Sequence, residues 1–207
     1  RRQRQMCIRD RFKDYTIETF KGGADDGIVS QGGSPTGYFL RKYIQEATSF
    51  EPGKEAVSKH HWVIYRYAET LLTYAESMVN AFNDVNYTDE TYKYSALWAI
   101  NEVRKNADMP LIPSMGKDEF MERLYNEWRV EFAFEDHRFW DVRRWKIADT
   151  TQRELYGVKI EKQADGTFNF YKNLYETRNW RDCMYLYPIP QSELYKNTNL
   201  NPQNTGW

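Results

Sequence analysis

A mainly α fold, built of helical hairpins with irregular loops and one small β-hairpin, is predicted by three features of the sequence. From Trp62 to Phe82 the apolar residues Ile64, Ala68, Leu71, Ala75, Met78 and Phe82 recur alternately four and three apart, and Arg66, Glu69, Thr73, Glu76, Asn80 and Asn83 interleave as a polar stripe of the same period. Phe120, Leu124, Trp128 and Phe132 then sit four apart. Both patterns place one apolar face along a helix. After Gln152 the period changes, and Leu155, Val158 and Ile160 face Phe168, Phe170 and Tyr171 across an Asp165-Gly166 turn. That is the pattern of a β-hairpin.

Taken in order, residues 12 to 60 read as irregular. Lys21-Gly22-Gly23-Ala24-Asp25-Asp26-Gly27 and Gln31-Gly32-Gly33-Ser34-Pro35 carry turn chemistry, with a short extended stretch expected at Tyr38 to Ile44. The first helix is expected from Trp62 to about Phe82 and the second from Glu90 or Thr91 to Asn106, presenting Ala96, Ile100, Val103 and Ala107. Met109-Pro110-Leu111-Ile112-Pro113 must end that ladder, since proline lacks the N–H and disfavours helix before it. A third helix opens at Lys117-Asp118-Glu119, whose acidic Asp118 and Glu119 suit a helix N-terminus, and runs towards Trp145 with a kink around Asp136-His137. Beyond the hairpin, Met184 to Tyr187 reads as extended, Gln191 to Leu194 as one helical turn, and Asn197 to Trp207 as an extended tail pinned by its apolar residues. Helix pairs on short linkers suggest solenoid-type hairpins, but no repeat near 34 residues is visible.

Composition narrows the function. A net charge of −1 over 207 residues argues against bare nucleic acid or an anionic membrane as a partner. The mean hydropathy is −0.85, and no apolar run approaches the ~18 residues of a membrane-spanning helix. Two cysteines, Cys7 and Cys183, make neither a disulfide framework nor a zinc site. Residues 1–11 are basic and polar, without the apolar core of a signal peptide. Met6-Cys7-Ile8-Arg9-Asp10-Arg11 resembles the translation of a sequencing-library adapter, so a non-native leader is expected at 1–11, with 12–207 the C-terminal part of a longer domain.

Candidate chemistry is sparse. Glu127, Glu131 and Glu135, with Asp141, share a region with Arg129, Arg138, Arg143 and Arg144, and carboxylates beside guanidinium groups are held ionised, which suits ion pairs and handicaps a general acid. Arg66, Glu69, Arg138 and Asp141 are further candidates for buried pairs. Adjacent His60 and His61 point to different faces and do not form an i, i+4 metal pair, and His137 stands alone. Neither a Gly-x-Ser-x-Gly elbow nor a phosphate loop is present. The 7 Trp, 16 Tyr and 11 Phe include Phe168, Phe170, Tyr171, Tyr175, Trp180, Tyr185 and Tyr187, interleaved with Asn169, Asn173, Arg178, Asn179 and Arg181. Aromatic faces beside amide and guanidinium donors suit a sugar ring, offering a stacking surface and partners for hydroxyls; packing of the loop onto the helices is the competing use.

Four stretches, in order, resemble the C-terminal portion of the SusD/RagB family of outer-membrane nutrient-binding lipoproteins. Tyr65 to Glu76 is similar to the family's Arg-Tyr-Ala-Glu-x-Leu-Leu-x-Tyr-Ala-Glu helix, and Ile100 to Arg104 with Ala107 to Pro110 to its Asn-x-Val-Arg…Ala-x-Met-Pro element. Glu127 to Trp145 matches the helix signature at Glu127, Glu131, Phe134, Glu135, Arg138, Asp141, Arg144 and Trp145, and Leu186 to Trp207 matches the Pro-Ile-Pro…Gln-Asn-Pro-Gly-aromatic tail. Trp128 stands where Arg is usual, Asp136 where Gly is usual and Thr205 where Pro is usual.

The resemblance implies a SusD-like α fold whose TPR-like neighbours lie outside this chain. It implies a lipid-anchored protein on the cell surface, in the outer membrane, that captures oligosaccharide or another nutrient for a SusC-like TonB-dependent transporter, performing no chemistry and using no cofactor. Tyr175 and Trp180 are the expected ligand contacts. A non-catalytic helical-hairpin scaffold that grips a protein partner is the alternative, and a glycoside hydrolase ranks third because it would need isolated carboxylates in a cleft.

Overall fold

The computed structural model describes residues 11–12, 14–27, 33–58 and 61–207. The leader expected at 1–11 and His60 lie outside them, apart from the backbone of Arg11, which pairs with Thr16 between the two-residue strands β1 (Arg11–Phe12) and β2 (Tyr15–Thr16). The chain divides into two compact units. One contains Leu40–Glu135 with the residues up to Ile17, and the other Glu18–Phe39 with Asp136–Trp207.

The first unit is helical. Helix α1 (Tyr67–Phe82) begins five residues later than the periodicity predicts, because Arg66 is extended (φ −146°, ψ 157°) and Ile64, the first member of the apolar stripe, is exposed. Its buried face is Leu71, Leu72, Ala75, Met78 and Val79, and it ends at Asn83, whose left-handed φ of 58° lets its N–H reach the Val79 carbonyl. Helix α2 (Ala96–Asn106) also starts late. Asp89 Oδ1 accepts the N–H groups of Thr91 and Tyr92 at 2.8 and 2.6 Å, a local turn that competes with helix, and Ser95 Oγ instead caps the helix by accepting Trp98 N–H at 3.1 Å.

The proline run after α2 is strapped to it. Asn101 Nδ2 donates to Ile112 O and Asn101 Oδ1 accepts Ile112 N–H, while Arg104 Nε donates to Pro110 O at 2.8 Å. The Asn and Arg of the second motif are therefore scaffold. Helix α3 (Lys117–Glu131) buries Phe120, Leu124, Glu127 and Trp128, and Trp128 packs on Phe132 with ring centroids 4.9 Å apart.

The expected kink is a full break. Phe134 and Asp136 adopt φ of 63° and 62°, and helix α4 (His137–Arg144) starts afresh. Asp136 occupies the family's usual glycine position, and aspartate tolerates the left-handed region better than most residues with a side chain. In the second unit α4 is followed by α5 (Ala148–Thr151), the antiparallel hairpin β3 (Glu154–Lys162) and β4 (Phe168–Thr177), a 3-10 turn at Asp182–Tyr185 and helix α6 (Gln191–Lys196). The expected extended run at Met184 to Tyr187 thus begins only at Leu186, whose φ is −117°.

Strand β3 is also covered by the early loop. Val158 N–H donates to Thr36 O at 2.8 Å and Lys21 N–H to Ile160 O at 2.8 Å. Gly157 is required there, since a Cβ would lie 2.5 Å from Thr36 O. The stretch expected at Tyr38 to Ile44 forms no strand. It turns at Tyr43 (φ 68°), with Ile44 N–H bonded to Arg41 O.

Candidate functional site

Two constellations carry charge or exposed aromatic surface, one in each unit. In the first unit Arg66 Nη1 meets Glu131 Oε1 at 2.6 Å, its Nε meets Glu135 Oε2 at 2.8 Å, and its Nη2 donates to Glu131 O at 2.8 Å. Lys42 Nζ pairs with Glu135 and donates to Ala133 O at 3.0 Å. These two cations therefore neutralise two carboxylates and cap carbonyls that α3 leaves open at its C-terminus, where positive charge is favoured. The guanidinium also lies 4.1 Å over the Phe132 ring.

Burial pushes the Glu135 carboxyl up, but hydrogen bonds from Arg66 and Lys42 outweigh it and hold it below the usual carboxylate range. Buried Glu127 pairs with Arg104 at 2.9 Å. The carboxylates are paired as the sequence suggested, and for the three glutamates the partners include Lys42, Arg66 and Arg104, distant in sequence. Arg129 donates to Asn126 at 2.9 Å. Asp141 pairs locally with Arg144 at 2.9 Å. Glu135, clamped by Arg66 and Lys42, stabilises structure and lacks the raised affinity for a proton that a general acid needs.

The second constellation is an aromatic platform. Successive residues Phe139 and Trp140 on α4 meet edge to face at 5.0 Å, and Tyr187 approaches both, at 6.1 and 6.3 Å between centroids. Trp140 and Tyr187 are 57% and 62% exposed, so the rings pack on each other while presenting faces to solvent. One turn along α4, Arg143 lies 3.5 Å over the Phe139 ring and donates to Phe139 O at 2.8 Å. The i, i+4 spacing makes that contact geometrically natural. Its guanidinium is also 5.4 Å from the Trp180 ring, which Tyr185 meets edge-on at 5.1 Å.

The tail holds this surface in place. Gln203 accepts Ile189 N–H at 2.7 Å and donates to Ile189 O at 2.8 Å, and Asn204 Nδ2 donates to Tyr187 O at 2.6 Å. Trp207 Nε1 bonds Cys183 O at 3.0 Å and Leu186 O at 3.1 Å. Gly206, at φ 90°, passes so close that a Cβ would sit 2.8 Å from Cys183 Cβ. The Gln-Asn…Gly-aromatic ending is thus a staple for the segment that carries Tyr187.

Of the two expected contacts, half-buried Trp180 joins the edge of this platform through Arg143. Tyr175 lies on exposed β4, at the residue over which the β3–β4 register jumps, and makes no ring contact with the platform among the described residues. Sequence reasoning included Tyr187 and Tyr185 but missed Phe139 and Trp140, which read as helix. The available signal was that two large aromatics adjoin on one short helix and cannot both face inward.

The Trp180 indole N–H is buried and finds no hydrogen-bond partner among the described residues. An unsatisfied buried donor costs about 1–3 kcal/mol. We therefore expect Trp180→Phe to melt at or slightly above the parent temperature, whereas Trp180→Ala melts lower. A drop of several degrees for the phenylalanine variant in thermal denaturation would show that the N–H is satisfied in solution.

Comparison with known proteins agrees with these motifs. A family model described as the SusD family matches residues 11–207. The chain is 32% identical over 160 residues to SusD-like protein P2 of Formosa agariphila, covering 72% of this chain and 26% of that protein. It superposes on the crystal structure of a SusD-like protein from Bacteroides fragilis with a TM-score of 0.68 and 31% identity, covering 93% of this chain and 34% of the other. The chain thus spans about a third or less of the length of these relatives. It belongs to the SusD family.

Proposed function

We propose that this chain is part of a cell-surface, lipid-anchored outer-membrane protein that captures oligosaccharide and passes it to a SusC-like TonB-dependent transporter. On this reading residues 1–11 are a non-native leader. Family membership supports nutrient binding. The observation that carries the sugar reading is the exposed Phe139–Trp140–Tyr187 platform, with Trp180 beside it. Flat aromatic faces stack on the C–H faces of pyranose rings, and nearby amides and guanidinium groups meet hydroxyls. Tyr175 is proposed as an outlying contact. The protein binds and releases without turnover, in keeping with carboxylates locked onto Arg66, Lys42 and Arg104.

Titration calorimetry against a panel of soluble oligosaccharides tests this. At least one glycan is expected to bind, and Trp140→Ala or Tyr187→Ala should each weaken it at least tenfold, since aromatic anchors at a binding surface cost about 2 kcal/mol or more when truncated. Absence of binding across the panel, or full affinity in both variants, would overturn the assignment. Release of shorter products from any glycan would overturn the non-catalytic reading.

A further inference from the structure

We propose that the platform selects glycans that carry an anionic group, a uronate carboxylate or a sulfate ester, with Arg143 as the residue that reads the charge. This rests on the sugar-binding reading above. Arg143 is half-buried, yet no carboxylate lies within ion-pair distance of it among the described residues. Three carboxylates elsewhere in the same unit are engaged: Asp141 by Arg144, Glu176 by Arg178, and Asp149 by the Tyr185 hydroxyl at 3.2 Å. A guanidinium taken partly out of water without a counter-charge is favourable only with compensation. Here that compensation comes from the Phe139 ring at 3.5 Å, the Trp180 ring and the Phe139 carbonyl.

Those contacts fix the position of the cation while consuming few of its donors. Among the described residues it makes only the bond to Phe139 O, so most of the N–H fork remains available, and that fork matches the two oxygens of a carboxylate or sulfate. The charge stands at the margin of rings exposed enough to stack a sugar. A second guanidinium, Arg181, lies 5.3 Å over the Trp207 ring and is likewise without an ion-pair partner among the described residues. A neutral sugar would use the rings and leave this charge uncompensated. An acidic sugar would use both, and its ion pair would form next to apolar rings that lower the local dielectric.

The test compares three oligomers of equal length by calorimetry at low salt: a neutral galactan, an oligogalacturonide and a sulfated galactan. The expected result is at least tenfold tighter binding of one or both anionic oligomers than of the neutral one, with the preference shrinking as sodium chloride rises to about 0.5 M. The arm that binds identifies carboxylate or sulfate as the anion. Arg143→Gln should bring the anionic-to-neutral affinity ratio close to one, and Arg143→Lys should retain part of it. If Arg143→Gln fails to fold, the lysine variant and the salt series decide. Equal or tighter binding of the neutral oligomer, or a preference unchanged by both substitutions, overturns this inference and leaves the sugar-binding reading standing. No binding of any oligomer, in this set or in the wider panel, removes both.

Discussion

Arg66→Ala is expected to cost about 3–5 kcal/mol, because it takes a guanidinium away from two carboxylates already withdrawn from water, leaving Lys42 on Glu135. The side chain of Glu135 is only 8% exposed and that of Glu131 16%, and each takes a direct bond from this one guanidinium. The substitution also removes a carbonyl cap from the end of α3 and the cation over Phe132. For a chain of this size the loss corresponds to a fall in melting temperature of roughly 10 °C or more. Lys54→Ala is the control. Its pair with Glu51 has both side chains more than two-thirds exposed, so the change should stay within about 1 kcal/mol. Equal effects of the two substitutions would refute the buried-network account.

The same network sets an acid limit. Glu135 binds its proton less readily when folded than when unfolded, so its contribution to stability is complete above the ordinary glutamate value, near 4.5, and is lost as pH falls through the lower folded value. Melting temperature should therefore decline on acidification below about pH 4.5. In Glu135→Gln that decline should be shallower from a lower starting point. A variant with the parent's acid dependence would place the titrating group elsewhere.

Phe120→Ala should cost a comparable 3–5 kcal/mol for a different reason. The ring is fully buried in the first unit, on the same face of α3 as Leu124 and Trp128. Truncation removes the transfer free energy of the ring and leaves a cavity that close-packed neighbours fill only in part. Phe120→Leu, which keeps most of the volume, should lose less than half as much in chemical denaturation. A cost for Phe120→Ala below about 1 kcal/mol would mean that this end of α3 is not packed in solution.

The packing of α3 was readable before any coordinates, because Phe120, Leu124, Trp128 and Phe132 repeat four apart and an α-helix must place such residues on one face. The first helix was readable in its interior and misread at its start, since periodicity runs on through Ile64 while the backbone at Arg66 does not. Local competitors moved the second start, where Asp89 closes a turn that no hydrophobic pattern records. A kink near Asp136 was expected from the sequence, but its depth, two left-handed residues, was not.

Side-chain partnership is where sequence reasoning reached its limit. The reading that Glu127, Glu131 and Glu135 would be paired was sound, because buried carboxylates require cations. Proximity in sequence found the local pair of Asp141 with Arg144 but not Lys42, Arg66 and Arg104, which arrive from other parts of the chain. Membership of the family, the helical content and the Asp-Gly hairpin were determined by the order of residues alone, for each depends on spacing within a short segment. Which rings share a surface depends on distant segments meeting. Phe139 and Trp140 become a platform only because the tail, through Gln203, Asn204 and Trp207, holds Tyr187 against them, and that contact exists only in three dimensions.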